Sequence, residues 1–213
     1  MRVTVIDLGI GNLMSIIRGW ENFGAKVTVT SDPKIIINST HVVLPGDGAF
    51  KFAMGQIEKK NLLEILKNFN KSKSHLLGIC IGMQILFDES TEFGYCKRLG
   101  LISGKVIPIP SKSLDGNKLV LPHMGWNSLH KSNNLKNWDA TLLKSNKETD
   151  EVYFIHSYMA APSNNSERVA DCIYGGHKIA AVVTKNNITG CQFHPEKSGE
   201  VGLKIIENFV NKK

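Results

Sequence analysis

Cys80 lies in the run Leu76-Leu77-Gly78-Ile79-Cys80-Ile81-Gly82-Met83-Gln84, where an apolar stretch of strand length stops and a helical pattern, Met83 to Phe87, begins at once. Glycines two residues to either side lack a Cβ, so a helix can pass close to a sheet and leave the intervening thiol on a sharp turn. A thiol so placed points toward the crevice at the carboxyl ends of parallel strands. It also sits at a helix N-terminus, whose partial positive charge favours a thiolate. The other reading of a lone cysteine is a small buried hydrophobe between packing glycines. A second motif, Gly190-Cys191-Gln192-Phe193-His194-Pro195-Glu196, tips the weighing: an apolar stretch from Ile188 runs into His194, then a strand-ending proline, then a carboxylate. A nucleophilic cysteine needs a base to take its proton, and the base needs a group that fixes its tautomer. His194 and Glu196 supply both, so the chemistry expected is nucleophilic catalysis through the Cys80 sulfur.

These two motifs resemble those of the class I (triad) glutamine amidotransferases. Asp7-Leu8-Gly9-Ile10-Gly11-Asn12-Leu13, Leu44-Pro45-Gly46-Asp47-Gly48-Ala49-Phe50, Pro122-His123-Met124-Gly125-Trp126-Asn127, Tyr153-Phe154-Ile155-His156-Ser157-Tyr158 and Pro195-Glu196-Lys197-Ser198-Gly199 narrow the likeness. Together, in the family's order and over nearly the whole chain, they are similar to the glutaminase subunit of imidazole glycerol phosphate synthase. The resemblance implies that Cys80 attacks the side-chain amide carbon of glutamine, that His194 carries the proton to the departing ammonia, and that Glu196 holds the imidazole. The oxyanion would be met by the Ile81 N–H, next after the nucleophile, and by a backbone N–H of the Pro45–Gly48 loop, for which Gly48 is the candidate; a simple strand-ending turn is the alternative for that loop. Gly46, Gln84, Ser157 and Tyr158 would bind the substrate. His156 either lines the site or is structural. No cofactor and no metal are implied.

The same resemblance implies a heterodimer with a (β/α)8-barrel cyclase subunit. That subunit receives the ammonia and forms imidazole glycerol phosphate and an aminoimidazole carboxamide ribotide in histidine biosynthesis. Met124 and Trp126 are the apolar candidates for the docking face, with burial in the core as the alternative. One position departs from the family, which usually has an apolar residue where Asp47 stands; a carboxylate beside an oxyanion hole repels the charge held there unless it points away or is paired. That departure leaves open a paralogous glutaminase feeding another acceptor, such as a sugar amidination system. A γ-glutamyl hydrolase on the same elbow is a further alternative, while a non-catalytic module is opposed by the intact Cys80, His194 and Glu196.

The elements that must position these groups alternate in the first half of the chain. Arg2–Ile6, Lys26–Thr30, His41–Leu44 and His75–Ile79 read as strands. Leu13–Phe23 reads as a helix capped by Asn12 and stopped by Gly24, and Ala49–Phe69 as a helical stretch broken near Asn61. Such alternation implies parallel strands with right-handed crossovers. From about Lys105 the candidates are shorter: Lys105–Ile109, Trp126–Leu129, Val152–Ile155, Val169–Ile173, Ile179–Val183 and Ile188–Phe193, as in antiparallel strands added to the sheet. His130–Asn137 reads as a loop and Val201–Val210 as an amphipathic helix. The fold class expected is α/β: three layers, a mostly parallel central sheet with helices on both faces and an added antiparallel region, flavodoxin-like in kind.

Composition narrows the function classes. A chain of 213 residues suits one domain spanning 1–213. The net charge of +7 does not point to nucleic acid, because only four of the 26 basic residues are arginines and the lysines are scattered, with no basic run interleaved with aromatics. No apolar run approaches the roughly 20 residues of a membrane span, and Met1–Asp7 is a strand pattern broken by an acid, not a secretory signal. Cys80, Cys96, Cys172 and Cys191 lack zinc spacing, Cys191-x-x-His194 wants two further ligands, and the set fits a reducing cytoplasm. Gly9-Ile10-Gly11 falls short of a dinucleotide fingerprint, since Met14 stands where the third glycine belongs.

Overall fold

The computed structural model describes residues 2–9, 13–22, 24–46, 50–90, 92, 96–97 and 99–212, with 50, 96 and 97 by backbone alone. In chain order the elements are β1 (Arg2–Ile6), α1 (Leu13–Glu21), β2 (Lys26–Thr30), α2 (Pro33–Ile37), β3 (His41–Leu44), α3 (Phe50–Lys59), α4 (Leu63–Lys67), β4 (His75–Ile79) and α5 (Ile81–Ile85). Then follow β5 (Glu89–Ser90), β6 (Cys96–Lys97), β7 (Gly104–Pro108), β8 (His123–Ser128), β9 (His130–Lys131), β10 (Glu151–His156), β11 (Tyr158–Pro162), β12 (Arg168–Tyr174), β13 (His177–Lys185), β14 (Ile188–Cys191) and α6 (Gly199–Val210).

An eight-stranded sheet runs in the order β2-β1-β3-β4-β14-β13-β12-β9. The first five strands are mutually parallel, and β13, β12 and β9 add on antiparallel. Alternation along the parallel strands divides two cores. Val3, Val5, Val43, Leu77 and Ile79 face α1 and α6 through Ile16, Trp20, Ile206 and Phe209. Ile6, Val42, Leu44 and Leu76 face α2 through α5 through Ile36, Ile57, Leu66 and Met83. Period-two burial on both sheet faces is what puts helices on both sides. The break expected near Asn61 separates α3 from α4: Asn61 takes φ +56° and the Leu62 N–H closes back on the Ile57 carbonyl. Gly24, at φ +69°, ends α1 as expected; its expected cap, Asn12, lies outside the described residues.

The second half departs from expectation. Lys105–Ile109, Trp126–Leu129 and Val152–Ile155 do not extend the main sheet. β8 and β10 form their own two-stranded ribbon, and β11-β7-β5-β6 form a separate four-stranded sheet. The ribbon packs Val152 and Phe154 into the α1/α6 core, while the small sheet packs Val106 and Ala160 into the opposite one. β8 begins three residues earlier than expected, and α2, capped by the Asp32 carboxylate on the Lys34 N–H, and β11 were not expected. The expected loop from His130 opens with the short strand β9. No helix among the described residues is long and apolar enough to cross a membrane.

Candidate active site

Three adjacent parallel strands, β3, β4 and β14, end at the same edge of the sheet, with Leu44 opposite Gly78 and Cys191 opposite Ile79. Their carboxyl ends therefore deliver Pro45-Gly46, Cys80 and the Gln192–Glu196 segment to one crevice. Cys80 is held at φ +53°, ψ −109°, a conformation non-glycine residues avoid at a cost of about 1–3 kcal/mol. The flanking glycines explain how that turn survives. A Cβ on Gly82 would sit 2.0 Å from the Leu44 carbonyl oxygen, and one on Gly78 would sit 2.7 Å from the Gly82 carbonyl.

His194 follows β14 and is pinned by its backbone. Its N–H donates to the Tyr153 carbonyl at 3.0 Å, and its carbonyl accepts from the Ser198 hydroxyl at 2.6 Å. The imidazole Nδ1 lies 2.7 Å from Glu196 Oε1, and the two side chains are 2% and 3% exposed. The Cys80 side chain, itself buried, acts on the same ring, while its thiol donates to the Ile155 carbonyl at 3.8 Å. Burial by itself lowers the pKa of His194, but the hydrogen bonds to Cys80 and Glu196, with their charges, outweigh it and raise the pKa to about 10. The imidazolium is thus the favoured form between the two, which is what a base must become as it takes a thiol proton. Gly19 of α1 lies against Glu196, where an added Cβ would stand 3.4 Å from the Glu196 Cβ.

Beside Cys80 opens a cavity of about 570 Å³ lined by Cys80, Ile81, Gln84, Glu92, Pro122, Ile155, His156, Ser157, Tyr158 and Lys197. Gln84, 1% exposed, donates from Nε2 to the Tyr158 carbonyl at 3.1 Å and to Gln192 Oε1 at 3.0 Å. Gln192 in turn reaches the Cys80 sulfur at 3.8 Å. Gly46 lies directly on Ile81 and Gly82, so close that a Cβ there would fall 2.5 Å from the Gly82 nitrogen. Of the residues singled out in the sequence, Cys80, His194, Glu196, Ile81, Gly46, Gln84, Ser157 and Tyr158 thus meet at one crevice. Asp47 and Gly48 lie outside the described residues.

Met124 and Trp126 are 61% and 54% exposed, so the alternative of core burial is excluded for both. They stand on β8 opposite Ile155 and Tyr153 of β10, next to the cavity wall formed by Pro122 and Ile155. Cys191 is buried in the sheet with its sulfur toward the Gly78 carbonyl, and burial pushes its thiol well up. Reading the sequence missed Glu92 and Lys197, which bring one carboxylate and one ammonium to the cavity, a charge pair suited to an amino acid's own ends. It also missed Gln192, whose place inside the Gln-Phe-His-Pro-Glu run was the only available signal.

The class-I glutamine amidotransferase family model matches residues 4–213. Among curated relatives, the imidazole glycerol phosphate synthase subunit HisH 1 of Legionella pneumophila (strain Lens) is 46% identical over 208 residues, covering 98% of each chain. The HisH subunit of Geobacter sulfurreducens is 39% identical over 209 residues, covering 98% of this chain and 97% of that one. Among solved structures, one described as a glutamine amidotransferase superposes with a TM-score of 0.71 at 15% identity over 98% of both chains, a likeness of fold. The chain belongs to the class-I glutamine amidotransferase family and, within it, to the HisH subunits of imidazole glycerol phosphate synthase.

Proposed function

We propose that this chain hydrolyses glutamine to glutamate and ammonia through Cys80, His194 and Glu196. The ammonia then passes to a (β/α)8 cyclase subunit that makes imidazole glycerol phosphate and an aminoimidazole carboxamide ribotide in histidine biosynthesis. The observation that carries the reading is the buried Cys80–His194–Glu196 group beside a cavity of about 570 Å³, large enough to admit an amino acid. The Cys80 sulfur bonds to the glutamine Cδ, and the proton it gives up passes through His194 Nε2 to the leaving nitrogen, which departs as ammonia. Water, deprotonated by His194, then cleaves the γ-glutamyl thioester and restores the thiol. Glu196 keeps Nδ1–H pointed inward and stabilises the imidazolium in both steps.

The oxyanion is met by the N–H of Ile81 and by the loop carrying Gly46 and Gly48, an assignment supported by the contact of Gly46 with Ile81 and Gly82. Gln84, Ser157 and Tyr158 hold the substrate. The cyclase docks on the exposed face of Met124 and Trp126, beside the cavity, so that ammonia leaves into the partner and is not lost to solvent. The reaction takes place in the cytoplasm, where the free thiols of Cys80, Cys172 and Cys191 stay reduced. The test is Cys80→Ala in the complex with the cyclase subunit. Glutamate release falls to background while synthesis from added ammonium salts continues, because the partner needs only ammonia. Glutamate release near the parent rate would overturn the assignment.

A further inference from the structure

In the β8–β10 ribbon His123 stands opposite His156. Their rings meet at 3.0 Å between His123 Nδ1 and His156 Nε2, and the groups around them fix where every proton lies. The Tyr158 carbonyl can only accept, so His156 Nδ1, 2.8 Å away, carries hydrogen. Burial holds both rings neutral, lowering His123 to about 4 and His156 to about 3, and for His156 the neighbouring His194 pushes the same way. A neutral His156 protonated at Nδ1 presents Nε2 as an acceptor, so His123 donates from Nδ1. His123 Nε2 is then an acceptor in turn, 3.2 Å from Asn127 Nδ2. The Asn127 amide cannot turn round, because its oxygen accepts from the Ser128 N–H at 2.8 Å and its nitrogen also donates to the Ile173 carbonyl at 2.9 Å. The His123 ring is clamped as well, stacked on Phe154 at 5.0 Å and on Tyr174 at 4.1 Å between centroids.

This one-way chain ends on the Tyr158 carbonyl, the same oxygen that accepts from Gln84 Nε2. The second N–H of Gln84 goes to Gln192. Both donors of the Gln84 amide are therefore turned inward, and its oxygen, buried and without a partner among the described residues, is left for a ligand in the cavity. We propose that His123 is a positioning residue for glutamine: through His156 and the Tyr158 carbonyl it holds the Gln84 amide with its oxygen available to an N–H of the bound substrate. Neutral rings suit that task, since a cation here would oppose the imidazolium that His194 must become. The assignment rests on the glutaminase reading and adds to it three residues that do not touch the reacting atoms, Asn127, His123 and His156.

The experiment compares the parent complex with His123→Phe, which keeps the stacked ring and loses both hydrogen bonds, and with His123→Asn, whose side-chain N–H can replace the donor to His156. A contact made equally in ground and transition state is read in KM, and one neutral hydrogen bond is worth roughly five- to tenfold. His123→Phe is expected to raise KM for glutamine by about that factor with kcat within about twofold, and His123→Asn to restore most of it. Alkylation of Cys80 by iodoacetamide should be unchanged, while inactivation by a chloroketone analogue of glutamine slows in step with KM. A parent-like KM in His123→Phe, equal impairment in His123→Asn, or an equal loss of iodoacetamide reactivity would each overturn the relay. A parent complex that releases no glutamate would instead overturn the glutaminase reading on which the relay rests.

Discussion

Replacing Glu196 by Gln isolates the charge that faces His194 while keeping an oxygen that can accept from Nδ1. The two side chains are 2.7 Å apart and 3% exposed or less, so water screens them little. An effective dielectric of about 20 and charge centres about 4 Å apart give an attraction of about 4 kcal/mol, while the difference between a charged and a neutral hydrogen bond sets a lower figure of about 2 kcal/mol. Because the imidazolium is the reacting form, losing that attraction lowers its population in the resting enzyme, and the loss falls on the rate, on the order of 30- to 1,000-fold in kcat/KM. The pH profile carries the sign. The raised pKa of His194, about 10, is sustained against burial by Cys80 and Glu196, so removing the carboxylate lowers it. The alkaline limb, where the imidazolium loses its proton, therefore moves to lower pH. Glutamate release from pH 6 to 10.5, together with iodoacetamide alkylation of Cys80 over the same range, measures both effects. A Gln variant within threefold of the parent and with an unmoved alkaline limb would refute the role given to Glu196.

Two further substitutions test the packing and the docking face. Gly82→Ala would gain about 1 kcal/mol from helix propensity alone, but its Cβ would meet the Leu44 carbonyl oxygen at 2.0 Å. A net loss of about 2–4 kcal/mol and a fall in Tm of roughly 5–15 °C are expected by thermal unfolding, and an unchanged or higher Tm would contradict the close strand–helix contact. Trp126→Ala removes a side chain 54% exposed in the free chain. Its Tm should stay within about 2 °C of the parent while affinity for the cyclase subunit, by titration calorimetry, weakens at least about tenfold; unweakened docking would remove Trp126 from the interface.

The sharp turn at Cys80 and the strand end at His194 were legible in the chain because each is a local pattern. Gly78 and Gly82 around Cys80 announce a sheet and helix in close contact, and Pro195 marks where the strand carrying His194 must stop. The parallel half was equally legible: alternating strands and helices in Arg2–Ile79 leave only right-handed crossovers as an economical path, and the break at Asn61 shows as a turn residue within a helical stretch. Periodicity, however, reports that a face is buried and not what covers it. Val152 and Phe154 alternate as well in a separate ribbon as they would in the main sheet, so the division of the antiparallel strands among three sheets was settled only by packing against one core or the other. The same holds for groups far apart in sequence. Gln84 and Gln192 meet across 108 positions, His123 and His156 across 33, and Gly19 packs against Ile206 and Glu196. Hydrogen bonds and steric contacts of that kind depend on distances of a few ångströms, which the order of residues along a chain does not encode until the sheet brings its strand ends together.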